Sequence, residues 1–215
     1  MNMNTHKGAV YFGILATIFV GCSKSSDRLT TAERSVNGNR VALAEASFDL
    51  PSGWKVFDMT RGDFAQAMEA WVASNPQAQN TAEGVKAMAR NKDFRLFALD
   101  AVHSEVGFAD NLNVLVLQRA VPANLEDLLT QTRNQLAALP GATIISPFNR
   151  EPVGSNEFVH GQINMKRGIG QDLLSDSYSV IRHGKSITFT FTCLKPHAAE
   201  FTNTARQTME GVQLK

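Results

Sequence analysis

The run Ile187-Thr188-Phe189-Thr190-Phe191-Thr192-Cys193 alternates apolar and hydroxyl side chains without a break. Successive side chains of a strand point to opposite faces, so this stretch is a strand with Ile187, Phe189, Phe191 and Cys193 on one face and the threonines on the other. A chain carrying it must build a sheet with an apolar side to cover. Similar signals precede it: strands are expected near Thr143 to Phe148, Phe158 to Lys166, Asp176 to Arg182 and Ser186 to Leu194. Turns at Gly154-Ser155, Gly168-Ile169-Gly170 and His183-Gly184 would join them into a meander.

Upstream, Ala46 to Leu50 reads as a strand entering the turn Pro51-Ser52-Gly53, with Trp54 packing at the edge of the core. In Asp63 to Ser74 the residues Phe64, Ala67, Met68, Trp71 and Val72 recur at helical spacing, and Thr81 would cap a second helix reaching Arg90. Phe94 to Val102 and Leu112 to Arg119 are apolar on successive positions, as in central strands covered on both faces, with Ser104 to Asn111 as the link between them. Leu125, Leu128, Leu129, Leu136 and Leu139 mark a helix capped by Asn124 and stopped at Pro140-Gly141. A closing helix from Ala198 to Val212 buries Phe201, Ala205, Met209 and Val212. Strands in runs, with helices inserted and one at the end, give an α+β fold: an antiparallel sheet of about six to seven strands flanked by helices.

The N-terminus specifies location. Gly8 to Gly21 is uncharged and mostly apolar, follows Lys7, and ends at Cys22. A stretch of about 14 residues suits a secretory signal and falls short of the ~20 needed to span a bilayer. Phe19-Val20-Gly21-Cys22 resembles a bacterial lipobox, which implies cleavage before Cys22 and acylation (palmitate or a similar chain) of its thiol; an uncleaved anchor with an incidental cysteine is the alternative. Ser23 to Arg34 is polar and rich in Ser and Thr, as a solvated tether is. The expected division is a signal peptide over 1–21, a lipidated tether over 22–44 and one domain over 45–215. Ser23, with no Asp after Cys22, resembles lipoproteins sent to the outer membrane, facing the periplasm.

With 43% apolar residues, 19% charged residues and a net charge of +1, the chain of 215 residues is neither a disordered tail nor a polyanion binder, and no nucleic-acid partner is expected. No G-x-S-x-G elbow, phosphate loop or H-E-x-x-H occurs. His103, His160, His183 and His197 show no metal-ligand spacing, and His183 and His197 read as solvent-facing. Cys193, on an apolar strand face, reads as a buried and inert thiol. Glu126 and Asp127 suit a helix first turn, and Asp172 and Asp176 read as a solvated loop. No catalytic residues, cofactor or metal are expected.

Three patches, Phe48-Asp49-Leu50-Pro51-Ser52-Gly53-Trp54, Phe108-Ala109-Asp110-Asn111-Leu112-Asn113-Val114, and Ser177-Tyr178-Ser179-Val180 with the Thr/Phe strand and closing helix, resemble in order and spacing the PsbP-like superfamily. The resemblance implies an α/β/α sandwich and a non-enzymatic role in protein binding or assembly, with a protein partner besides the lipid-anchored membrane. The alternative is a carrier or chaperone sheltering an apolar peptide segment or lipid between sheet and helices. Asp110, Asn111 and Asn113 are binding candidates under this resemblance, although Asn and Asp also serve to shape the turn into a central strand.

Overall fold

The computed structural model describes residues 40–76, 79–105, 108–167 and 171–215. Cys22, the signal segment, residues 22–39 of the tether and the Gly168-Ile169-Gly170 turn lie outside the described residues.

The sheet runs through β3 (Trp54–Asp58), β4 (Phe94–Glu105), β5 (Phe108–Leu117), β6 (Ala142–Val153), β7 (Asn156–Arg167), β8 (Gln171–Arg182) and β9 (Lys185–Leu194), in the spatial order β3-β4-β5-β9-β8-β7-β6. Every pairing is antiparallel. The meander from β6 to β9 thus folds back so that its last strand lies against β5. His183 and Gly184 both have positive φ in the two-residue turn between β8 and β9, the conformation that matches the twist of a hairpin.

A smaller sheet, β1 (Arg40–Ala42), β2 (Ala46–Asp49) and β10 (Gln213–Leu214), joins the start of the domain to its end. Strand β1 lies ahead of residue 45 and pairs with β2. Helices α1 (Phe64–Ser74), α2 (Gln79–Met88), α3 (Leu125–Ala137) and α4 (Ala198–Glu210) complete the chain. Thr81 falls inside α2 and not at its start.

Helices lie on both faces of the large sheet. On one, α4 and the small sheet cover Leu112, Val114, Tyr178, Phe189 and Phe191, with Phe48 edge-on to Phe189 at 5.6 Å and Trp54 stacked on Phe201 at 5.9 Å. The opposite face is shared: α1 and α2 cover Phe97, Leu99 and Leu115 at one end, and the leucines of α3 cover Phe148, Val159 and Ile163 at the other. Asn124 caps α3 as expected, accepting the N–H groups of Glu126 and Asp127 at 2.9 Å. The threonines of β9 do face away from its phenylalanines. All three are buried, and two are paired with serines of β8, with Ser179 Oγ 2.9 Å from Thr188 Oγ1 and Ser175 Oγ 3.1 Å from Thr192 Oγ1.

Candidate functional site

The residues singled out before β5 do not form a turn. Asp110, Asn111 and Asn113 lie within that strand, because β4 and β5 extend to Glu105 and Phe108 and leave no long link. Asn111 Nδ2 donates to Ala109 O at 3.0 Å, and Asn113 Nδ2 reaches Thr190 O at 3.5 Å, both strand-internal duties. Asp110 is fully buried and holds the corner that follows β9: Oδ1 accepts Leu194 N–H at 3.1 Å and Oδ2 lies 2.7 Å from His197 Nδ1. His197 is accordingly half-buried, not solvent-facing. Burial raises the Asp110 carboxyl above its usual value, against the opposing pull of Leu194 N–H and His197.

Asp176 is likewise no loop residue. It stands on β8 with its side chain 1% exposed, on the face covered by α4. His160 of β7 bridges two carboxylates there, with Nε2 2.7 Å from Asp176 Oδ1 and Nδ1 2.5 Å from Glu151 Oε2, and its ring stacks on Tyr178 at 4.1 Å. Gln162 Nε2 donates to the other Asp176 oxygen at 3.2 Å, and Arg206 of α4 pairs with Glu151. Burial works against the imidazolium, yet the hydrogen bonds and charges of Asp176 and Glu151 prevail and hold His160 above the ordinary histidine range. Burial pushes the Tyr178 hydroxyl and the Cys193 thiol upward, so neither ionises as a nucleophile would. The chain Arg206–Glu151–His160–Asp176 thus pins a helix to a sheet, and a histidine saturated on both nitrogens has no lone pair to offer a substrate.

Beside this network, a groove of about 350 Å³ opens between the first turns of α4 and the strands β6 to β8; Ile145, Leu174, Ala198 and Ala199 give it apolar walls, and Asn164 and Lys195 are polar members. Asn164 Oδ1 is buried without a hydrogen-bond donor. Strand β6 borders the groove and is an edge of the large sheet. Edges are commonly blunted, and the second half of β6 is: Arg133 of α3 donates to Phe148 O at 2.7 and 3.1 Å, and Pro147 and Pro152 interrupt the strand. The first half carries Ile144 and Ile145, which are 50% and 52% exposed and are the exposed large hydrophobic side chains among the described residues. The register against β7 shifts between Ile144 and Ser146, turning Ile145 into the groove.

The signal for the His160 network was present in the alternation: His160 and Asp176 occupy positions in step with Phe158 and Tyr178, on the apolar face of their strands. The place of Ile144 and Ile145 on an edge strand had none, since a strand's place in a sheet is set by distant pairing.

No family model matches the chain, and no curated protein matches it. Among solved structures it is similar to LpqN of Mycobacterium tuberculosis, described as involved in cell envelope biogenesis, with a TM-score of 0.51 and 9% identity over 86% of this chain and 90% of that one. At that identity the likeness establishes a shared fold. The cyanobacterial PsbP protein CyanoP of Synechocystis sp. PCC 6803 matches with a TM-score of 0.45 and 12% identity over 92% of this chain and 99% of that one. A Bacteroides thetaiotaomicron protein matches with a TM-score of 0.44 and 11% identity over 80% of this chain; the chain spans only 46% of that protein. These last two lie below the level at which a TM-score establishes a fold. Among the described residues, no helix is long and apolar enough to cross a membrane.

Proposed function

We propose that this chain is a non-enzymatic binding or assembly module of the bacterial cell envelope, lipid-anchored through Cys22, that takes a protein partner along the open half of β6 and the adjoining groove. The observation that carries the reading is the pair Ile144 and Ile145, exposed together on the first half of an edge strand beside an apolar groove. An extended peptide suits this place. It can hydrogen-bond to the free strand edge, set apolar side chains against Ile145, Leu174 and Ala199, and supply a donor to Asn164 Oδ1. The groove is at the small end of ligand clefts, so a few side chains fit it better than a whole lipid. The anchor rests on Phe19-Val20-Gly21-Cys22 and the polar segment behind it, and the outer-membrane assignment on Ser23. The sequence likeness to the PsbP-like superfamily and the fold shared with LpqN agree with an accessory role.

A photo-reactive residue placed at Ile145 of the full chain in its native host tests the docking edge. A discrete protein adduct should form there, fail to form from the exposed Lys92 site at the opposite end of the molecule, and disappear when Ile144 is also made Asp. Equal labelling from both positions would remove the reading. Intact mass of wild type and Cys22→Ala extracted from membranes tests the anchor independently.

A further inference from the structure

From Asn134 to Asn149 the chain carries no Asp, Glu, Lys, Arg or His, although 19% of its residues are charged. This is the longest such run in residues 40–215. It spans the end of α3, the Pro140-Gly141 turn and the first half of β6, and much of it faces outward: Ala138, Pro140, Thr143, Ile144 and Ile145 are exposed. The α4 side of the groove, at Ala198, Ala199, Thr202 and Asn203, is uncharged as well. Depletion of charge marks the centre of a protein interface and not the surface around it.

An uncharged centre has a particular value for one kind of partner. When two copies of the same surface meet about a two-fold axis, every charge near the axis meets its own like. Like charges opposed across strands destabilise the pairing, and edge strands commonly carry charge to keep copies apart. Here the nearest charges in sequence are Arg133 and Arg150, and both are committed within the chain. Arg133 donates to Phe148 O and to Asn149 Oδ1, and Arg150 is paired with Glu157 at 2.8 Å.

We propose that the partner taken along β6 is a second copy of this chain, joined antiparallel through Ala142–Ile144 about an axis at Thr143; this rests on β6 being the docking edge. The register follows from where the strand is regular. Gly141, with φ of 77°, belongs to the turn before it. The pairing with β7 shifts between Ile144 and Ser146, and Pro147 has no N–H to donate. Thr143 is the middle of what remains. An axis there sets the two Thr143 side chains opposite each other and Ala142 opposite Ile144, and threonine pairs of this kind stabilise strands. It also brings Ile145 of one copy over Gly141 of the other, where no side chain stands and a Cβ would meet nothing within 4 Å.

Sedimentation of the full chain in detergent tests the axis. Wild type should sediment as a dimer. Thr143→Lys and Thr143→Glu each set like charges on the axis and should each weaken the dimer by ~30-fold or more, while an equal mixture of the two should dimerise again. Thr143 is exposed, so both variants should keep the wild-type unfolding midpoint. Wild type that stays monomeric at every concentration, or variants that dimerise as wild type does, would overturn the proposal. The photo-adduct from Ile145 separates it from the reading beneath it. An adduct of two copies of this chain supports both; an adduct with a different protein overturns the second copy and keeps the docking edge; no adduct removes both.

Discussion

Replacing His160 with Gln should cost the domain more than any exposed substitution. The side chain is 14% exposed and lies between Asp176, at 1%, and Glu151, at 37%. The variant leaves the Asp176 carboxylate buried with only Gln162 Nε2 at 3.2 Å and the Tyr178 hydroxyl at 3.4 Å. Removing one partner from a buried ion pair costs about 3–5 kcal/mol, because the remaining charge is uncompensated. In a domain of this size each kcal/mol shifts Tm by roughly 2–4 °C. Urea unfolding of wild type, His160→Gln, Asp176→Asn and the double variant measures the coupling directly. The sign of the pH dependence follows from the two groups. His160 is raised in the folded state, so its contribution is complete below its ordinary pKa of 6.5 and is lost as pH rises through the raised value. Glu151 is lowered: burial opposes the shift, but Arg206 and His160 overcome it. Its contribution is therefore complete above its ordinary pKa of 4.5 and is lost as pH falls through the lowered value. The difference between wild type and variant should be greatest between these limits and shrink into alkali. A loss below about 1 kcal/mol, the range of exposed ion pairs, with no coupling to Asp176 would refute the reasoning.

Asn124→Ala removes the acceptor for two amide groups at the start of α3 and should lower stability by about 1 kcal/mol in urea unfolding; an unchanged midpoint would mean water replaces the cap. A Cβ built on Gly161 would stand 2.5 Å from Phe148 Cδ2 and 2.9 Å from its Cα, so Gly161→Ala should lose about 1–3 kcal/mol by overpacking. Shortening Phe148 to Leu in the same chain should recover part of that loss. Cys193 is fully buried with its thiol pKa pushed up, and a thiol reagent should label it only on unfolding; prompt labelling of native protein would show that the strand opens.

Much of the fold was legible because two periods carry it. The alternation in β9, the leucine spacing of α3 and the Phe201, Ala205, Met209 and Val212 face of the closing segment each report burial of the element's own residues, and all lie where expected. Strand ends were less legible. β6 continues past Phe148 to Val153, and β8 begins at Gln171, ahead of Asp176. Cross-strand bonds extend a strand through polar residues that carry no periodic signal of their own. The site eluded the reading for the same reason. His160 on β7 meets Asp176 on one neighbouring strand and Glu151 on the other, and His197 meets Asp110 across 87 positions of sequence. Metal or acid–base groups sought at fixed spacing cannot reveal contacts made by register. A polar residue standing in step with an apolar face, as Asp110 does with Leu112 and Val114, was the available clue.

Helix α4 joins these observations. Its apolar face, with Phe201, Ala205 and Met209, supplies most of the burial against the sheet, but apolar contact alone tolerates sliding. The polar contacts do not. At the start of the helix His197 must meet Asp110, and in its last turns Arg206 must meet Glu151, which is fixed through His160 to Asp176. Asn156 Nδ2 adds a bond to Val212 O just beyond the helix. One buried carboxylate at each end therefore sets the register of α4. The groove beside Ile145 is bounded by Ala198, Ala199, Thr202 and Asn203 of this same helix, between the two anchors. Its width is set by where those anchors hold the helix, so loss of the His160 bridge would alter the groove without touching it.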